Sequence, residues 1–585
     1  MRDRGQRREW RTWAAGLTQR FAARRAVRAR DPGPPTWPEP RTAGSPARGR
    51  QLLQGRLRIG AEVVEATERM VWDLLPEGPE GASLHGMEWL DDLAALGDGR
   101  ARALAQDWVG EWARRFGAGA GPGWTPELAG TRLLRLLGHA RFLLHPQAEG
   151  EGPFARLVAG HAAFLDRQWR RSPEGHARLL VLTALLQAQL ALPTYRARAE
   201  RTRDALGREA AATVDPGGAI ATRNPEELLE VMALLAGANA ALAAADLAAD
   251  PDVGAALARA ASTLRALRHT DGSLARFHGG GRGMDGQVDQ VLAAAGRPSL
   301  TAGRPALQPQ MGFLRLAAGR TTVIVDAAVP PSGAASLRAH ASTLALELTS
   351  GRRPLVVSCG PGHGFGPRWS DATRATASHS TLSLENASSS RLDPPRPGEG
   401  LSRLVDGPRR VIVEAAAPGP DGLRVELAHD GWRRLNGLTH ARILQLSADG
   451  RMLEGEDMLT TLTSVDGAAF DRALEASQGL GLPFAVRFHL HPDVQAEALA
   501  DGTIGMALRS GEDWVFEHDG EGTLTLEPSV HLEKGRLRPR ECRQIVLSGR
   551  AIRSMTRLRW TLAKAYGTPE GLRDLHPGSE WEEDE

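Results

Sequence analysis

The feature that most constrains this chain is a change of period part-way along it. From about Gln51 to about Arg268 apolar residues recur every three to four positions, and from about Gln308 they recur every second position. The first spacing puts apolar side chains on one stripe of a helix, and the second puts them on one face of a strand. Runs of helices followed by runs of strands point to an α+β multidomain chain, with a helical half and then an antiparallel β-sandwich. At 585 residues the chain is long enough for two or more cores.

The helical stretches read as Met87 to Leu96, Ala101 to Phe116, Thr131 to Leu144, Pro153 to Trp169, His176 to Leu192, Arg196 to Val214, Pro225 to Leu247 and Asp252 to Leu267. Gly and Pro clusters separate many of them. In the second half, Ser336 to Gly360 (SLRAHASTLALELTSGRRPLVVSCG) reads as a half-buried strand opened by His340, a Ser350-Gly351 turn and a return strand. RATASHSTLSLEN again sets a histidine, His379, at the mouth of a strand, so the two imidazoles can meet across neighbouring strands. Residues 386–404 read as a long loop.

Composition narrows the class. Net charge is +2, but residues 1–50 hold 13 Arg against 4 acids, and the chain closes on Glu580, Trp581, Glu582, Glu583, Asp584 and Glu585. Residues 1–30 place Trp10, Trp13, Leu17 and Phe21 opposite an Arg-rich face. That is either a first helix packed on the helical half or a basic amphipathic helix for peripheral contact with an anionic membrane. Residues 31–49 are Pro-rich and read as linker. No run of 18 apolar residues is present, so no transmembrane segment is expected, and no secretory signal is read at the N-terminus. Cys359 and Cys542 give no disulfide framework and read as free thiols. No nucleic-acid motif accompanies the arginines, so nucleic acid is not an expected partner.

The pattern His340-x-x-x-Leu-x-Leu-x-Leu, then Gly351-Arg-x-Pro-Leu-Val-Val, a Gly-rich loop, and Arg374-x-Thr-x-x-His-Ser-Thr resembles the heparinase II/III family of polysaccharide lyases. The likeness runs from about Leu53 to about Lys564. It implies an N-terminal (α/α) toroid and a C-terminal antiparallel β-sandwich. The divisions expected are 1–50 for the basic segment and linker, 51–305 for the toroid, 306–570 for the sandwich and 571–585 for an acidic tail. It also implies β-elimination on a uronate-containing acidic polysaccharide, in a cleft between the two halves. The cell envelope or periplasm is the implied location, with the cytoplasm as the alternative.

Elimination needs a group to neutralise the uronate carboxylate, a base for the α-proton and an acid for the leaving oxygen. By position, the resemblance puts Asn224 at the carboxylate and His340 and His379 at the proton transfers. Asn224 also precedes Pro225 and an acidic first turn, which is an N-cap arrangement. The family's tyrosine has no counterpart, because the chain has only Tyr195 and Tyr566. His278, in the loop before a triple glycine, is the substitute candidate. Arg223, Arg282, Arg338 and Arg374 are expected at the polyanion, and Trp124, in a Gly/Pro loop, is the expected sugar-stacking ring. Arg338 stands where many relatives have a first histidine, and Ser358 where some have a metal-binding Asp. No cofactor is expected; a structural zinc would have only His340 and His379 as ligands. His489 and His491, two apart on one strand face, read as structural. The alternative function is a glycan-binding or envelope-biogenesis protein on the same scaffold without turnover.

Overall fold

The computed structural model describes residues 32–39, 44–59, 62–65, 70–74, 79–144, 151–284, 286–296, 307–384, 387–396, 400–415, 419–536, 538–568 and 574. The expected basic helix over residues 1–30 lies outside them, as does the acidic run from Glu580. Two compact units form, one from Met1–Asp215 with Glu230–Ala258, the other from Pro216–Leu229 with Arg259–Glu585.

The first unit is helical. Its main helices include Glu88–Leu96, Gly99–Phe116, Pro126–Gly138, Glu151–Gln168, His176–Ala191 and Ala199–Thr213. Local chemistry sets their ends. Asp98 Oδ1 accepts from Ala101 N at 2.8 Å, Thr125 caps the helix that Pro126 begins, and Gly97 in the left-handed region stops the helix before it. The region read as linker ends earlier than expected, since Ser45 caps a helix at Pro46–Leu53. The core is rich in indoles: Trp72, Trp89, Trp108, Trp112 and Trp124 are all buried. Arg132 is buried among them, with Nε and Nη1 of its guanidinium hydrogen-bonded. It donates to His161 Nε2 (2.8 Å), His85 O (2.7 Å) and Gly123 O (3.1 Å), and lies 4.0 Å from the Trp112 ring centre.

Helix Pro225–Ala244 has the length and mean hydropathy, 1.5, of a membrane span, which the sequence reading did not anticipate. A core helix passes the same test, and Leu228, Leu229, Val231, Met232 and Leu235 are fully buried here.

The second unit holds two eight-stranded antiparallel sheets. One runs Val411–Ala415, Leu423–His429, Thr439–Leu446, Met452–Thr460, Met555–Lys564, Asp513–His518, Ile504–Ala507, Gln495–Ala498. The other runs Thr523–His531, Arg540–Ala551, Leu482–Leu490, Arg353–Val357, Leu346–Ser350, Thr321–Asp326, Phe313–Ala318, with Leu382–Leu384 also on Leu482–Leu490. Their inner faces share one core, in which Leu346, Leu348 and Phe488 of the second sheet meet Val425, Leu444, Leu453, Trp514 and Trp560 of the first. The first sheet alternates in burial as period 2 demands, for example along Thr439–Leu446.

Two expectations are corrected here. Strand Leu346–Ser350 is buried on both faces, not half-buried, because the segment carrying His269 and Arg276 covers the Glu347 face. Glu347 accepts from Arg276 N at 3.1 Å and faces His269 Nε2 at 3.3 Å. Within the stretch read as a long loop, Arg391–Asp393 and Arg403–Val405 pair as a short antiparallel ribbon.

Candidate functional site

The four expected catalytic residues form one chain of contacts inside the second unit. Asn224 ends the turn before helix Pro225–Ala244. Its Oδ1 accepts from Glu226 N (3.0 Å) and Glu227 N (3.2 Å), and its Nδ2 donates to His278 O (3.2 Å). The capping arrangement read from the sequence is thus formed, and the amide is held by it. Gly280 is needed beside it, since a Cβ there would sit 2.4 Å from Asn224 Oδ1. His278 Nδ1 accepts from His340 N at 3.3 Å, so the His278 proton sits on Nε2, facing Asp326 Oδ2 at 3.5 Å. His340 Nδ1 meets His379 Nε2 at 3.3 Å, and His379 Nδ1 meets Ser358 Oγ at 3.0 Å.

Neither His340 nor His379 lies in a strand. Each sits in the loop before one, with Leu346–Ser350 and Leu382–Leu384 starting several residues later. The two loops are stitched together by backbone and side-chain bonds. Ala341 N donates to Arg374 O (2.9 Å) and Thr376 Oγ1 to Ala341 O (3.0 Å). His489 adds an anchor, meeting Ala377 O at 2.9 Å through Nε2, which matches its structural reading.

Asp326, which no sequence motif marks, is the hub. It closes strand Thr321–Asp326, is fully buried, and takes a hydrogen bond from Ser342 Oγ (2.7 Å) and an ion pair from Arg223. Burial alone would raise its carboxyl; Arg223, His278 and Ser342 outweigh this and hold it below its ordinary value. Around it the backbone is unusual. Arg223, His278, Met311 and Leu344 are all non-glycine residues at positive φ, between 50° and 63°. Met311 O accepts from Arg223 Nε (3.0 Å), and Leu344 N donates to Asp326 O (2.8 Å). Strained backbone of this kind gathers where the surrounding structure over-determines a site.

The imidazoles are neutral. Burial pushes His278 and His379 down to about 3, and it pushes His340 well below its ordinary value, helped by His379, His278, Arg374 and His363 nearby. A small pocket opens on this cluster, lined among others by Gly279, Arg338, His340, His363, Thr373 and Arg374. Of the three candidate histidines His340 lines the pocket; both ring nitrogens of His379 are bonded within the cluster, and His278 Nε2 is buried 3.5 Å from Asp326 without a hydrogen bond.

The expected substrate-binding residues fare differently. Arg338 is exposed and lines the pocket. Arg374 lines it too, but its guanidinium is committed to the carbonyls of Ala339 (2.8 Å), Ser402 (2.8 Å) and Ser336 (2.9 Å). Arg223, expected at the polyanion, is instead a strut. It donates to Met311 O, Gly312 O, Ala328 O, Val329 O and Asp326, and stacks on Phe313 at 4.7 Å. Arg282 is half-buried and not among the lining residues. Trp124, the expected sugar-stacking ring, is core. It is 3% exposed, packs on His161 and Phe164, and donates through Nε1 to Phe116 O at 2.8 Å.

The donors do not make a zinc site. Besides His340 and His379, the third position is Ser358, whose hydroxyl lies against the far nitrogen of His379. Among the described residues no group of three or more His, Cys, Asp or Glu is arranged to hold a metal.

Comparison with known proteins agrees with this fold. Residues 301–561 match the model of the heparinase II/III-like C-terminal family. FtsZ-localized protein C of Caulobacter vibrioides is 32% identical over 542 residues, covering 89% of this chain and 88% of that protein. A crystal structure of heparinase III superposes with TM-score 0.66 at 13% identity, over 93% of this chain and 89% of that one. Heparan sulfate lyase HepC from Pedobacter heparinus, in a mutant form, gives 0.55 at 13% identity, over 95% and 89%.

Proposed function

Because this chain belongs to the heparinase II/III-like family, we propose that it keeps the family's scaffold without its elimination chemistry, and works as an FtsZ-localised structural protein. One observation carries the loss of chemistry: the groups elimination would need are tied to one another. Asn224 caps a helix and holds His278 O, both ring nitrogens of His379 are bonded, and His278 is buried with Nδ1 taking His340 N and Nε2 lying 3.5 Å from Asp326. That leaves His340 Nε2 to act as base and acid alike, with no tyrosine to share the task. A single neutral imidazole nitrogen does not supply two proton transfers and a carboxylate clamp. The localisation half of the reading is supported by the likeness to FtsZ-localized protein C, which extends over nearly the whole of both chains at 32% identity. On this reading the chain works in the compartment of FtsZ rather than in the envelope.

A second reading keeps an acidic polysaccharide as substrate. The contact chain Asn224–His278–His340–His379 and the pocket-facing Arg338 favour it. One pair of assays separates the two. The purified chain is mixed with FtsZ polymers and pelleted, and is separately incubated with alginate, glycosaminoglycans and bacterial exopolysaccharides while unsaturated uronate is followed by ultraviolet absorbance. Co-pelleting with flat absorbance is the expected result. A rising absorbance with any glycan overturns the loss of chemistry, and absence from the pellet overturns the localisation role.

A further inference from the structure

The first sheet ends on strand Val411–Ala415, which among the described residues pairs only with Leu423–His429, so its other edge is unpaired. An edge strand aims every second N–H and C=O away from its sheet and offers them to another strand. The other three sheet ends are blunted. Pro528 interrupts Thr523–His531, Gln495–Ala498 is short and has no β-branched residue, and no side chain of Phe313–Ala318 is exposed. Val411–Ala415 has none of these devices. It opens on Val-Ile-Val, the residue types that favour pairing. Val411 and Val413 are half-buried and pack on the sandwich core. Ile412 (37% exposed) and Glu414 alternate to the outer face, and Arg410, one residue ahead of the strand, is exposed in the same alternation. Asp430 Oδ1 fixes the entry, accepting from Arg409 N (2.8 Å) and Arg410 N (3.1 Å).

The order of these side chains says what the edge fits. Arg410, Ile412 and Glu414 form a basic, apolar, acidic row, which is its own complement when reversed. Antiparallel pairing with the same strand of a second copy, about a two-fold axis at Ile412, sets Arg410 opposite Glu414 twice. Ile412 then meets its own copy between the two ion pairs, and Val411 meets Val413 on the core-facing side. Neighbouring registers fail. An axis at Val411 sets Arg410 against Ile412, and one at Val413 sets Ile412 against Glu414. An axis at Arg410 or Glu414 sets a charge against itself. A slip of one residue turns the core-facing valines outwards, and in-register parallel pairing lines up like charges. We infer that Val411–Ala415 docks on the same strand of a second copy of this chain, joining the two sheets edge to edge through Arg410–Glu414 pairs. This inference does not depend on the FtsZ reading, and its test involves neither FtsZ nor glycan.

The test uses the full chain in sedimentation velocity. So short an edge buries little area, so a concentration-dependent dimer in the micromolar range is expected. R410E and E414R, both at exposed positions, each turn two attractive pairs into repulsive ones, and each is expected to weaken the dimer about tenfold or more. The swap R410E/E414R restores both pairs and is expected to return the dissociation constant to near the wild-type value. Position is read with I412C in a C542S background; Cys359 is buried. Neighbouring antiparallel strands bring opposed Cα atoms within disulfide reach, so mild oxidation with copper phenanthroline in air is expected to give a covalent dimer. E426C, exposed on the next strand in, opposite Glu414, is expected to give none. The inference is overturned by a wild-type chain that stays monomeric across that range, or by a dimer indifferent to R410E and E414R. A swap that fails to restore the dimer, or cross-linking of E426C as readily as I412C, also overturns it, because the copies would then meet in another register or on another surface.

Discussion

Replacing Asp326 with asparagine is the sharpest probe of the hub. The carboxylate accepts from Arg223 on one oxygen and from Ser342 on the other, where His278 Nε2 also points. Asparagine keeps the volume but must turn its NH2 towards one of these donors, and it leaves Arg223, 11% exposed, without its counter-charge. Breaking one side of a buried pair costs about 3–5 kcal/mol, mostly because the remaining charge stays buried. Four carbonyls still surround the Arg223 guanidinium, so the lower part of that range is expected. Urea unfolding followed by tryptophan fluorescence includes the signal of Trp432, Trp514 and Trp560, all in the sandwich core, alongside that of the indoles in the helical half. For a protein of this size the loss corresponds to a midpoint lowered by about 1 M. The double variant D326N/R223M is expected to cost less than the sum of the two single changes. A loss below about 1 kcal/mol for D326N, or strict additivity in the pair, would refute the idea that this carboxylate holds the cluster together.

Further outcomes follow from the same geometry. Burial depresses His278 and His379 to about 3, against about 6.5 unfolded, so below pH 6.5 the unfolded chain binds more protons and stability falls as pH drops towards 3. H379N should remove up to ~1.4 kcal/mol per pH unit of that slope, measured as urea midpoint against pH. Trp124→Ala should destabilise the helical half by about 3–5 kcal/mol, seen in thermal unfolding, and leave glycan binding unchanged in a titration. Gly280→Ala, which forces a Cβ to 2.4 Å from Asn224 Oδ1, should cost about 1–3 kcal/mol in the same unfolding assay.

The architecture was legible because period is a local property. Each stretch carries its own 3.6 or 2 repeat, and the switch near residue 308 needs no long-range information. The pairing of His340 with His379 was legible for a different reason, since both lie on motifs of a recognisable family. The hub was not. Asp326 closes an ordinary apolar strand, TTVIVD, and its partners come from positions 223, 278 and 342. Left-handed backbone at Arg223, His278, Met311 and Leu344 has no signature, because the side chains there are not glycine. Trp124 misled because Gly121 and Gly123 flag a loop, and a loop suggests exposure. The ring instead folds inward, where Phe116 O takes its N–H. Glu347 misled in the opposite sense: an acid on an alternating strand suggests a wet face, but Arg276 N and His269 cover it.

If the buried polar cluster does no chemistry, as proposed, it still needs a reason, and the opposite sheet supplies one. Asp457 takes Arg442 through two bonds, at 2.8 and 3.0 Å, together with Trp560 Nε1 (2.9 Å) and His440 Nε2 (2.7 Å). His440 Nδ1 then accepts from His429 Nε2 at 3.2 Å, and His429 Nδ1 from Gly431 N at 3.0 Å, so the donors and acceptors run in one consistent direction. Arg442 reaches through the core to donate to Leu344 O (2.7 Å) and Ser380 O (3.0 Å), which lie in the loops that carry His340 and His379. The two histidine loops are therefore held from one side by Asp326 and from the other by the Arg442–Asp457 pair. Any other register of those loops would leave a guanidinium or a carboxylate buried without its partner, at several kcal/mol. On this argument R442M should loosen both loops before it unfolds the sandwich. Diethylpyrocarbonate modification of His340 and His379, read by mass spectrometry under native conditions, should rise several-fold in R442M. Unchanged modification in a folded variant would mean that the opposite sheet does not hold the loops in place.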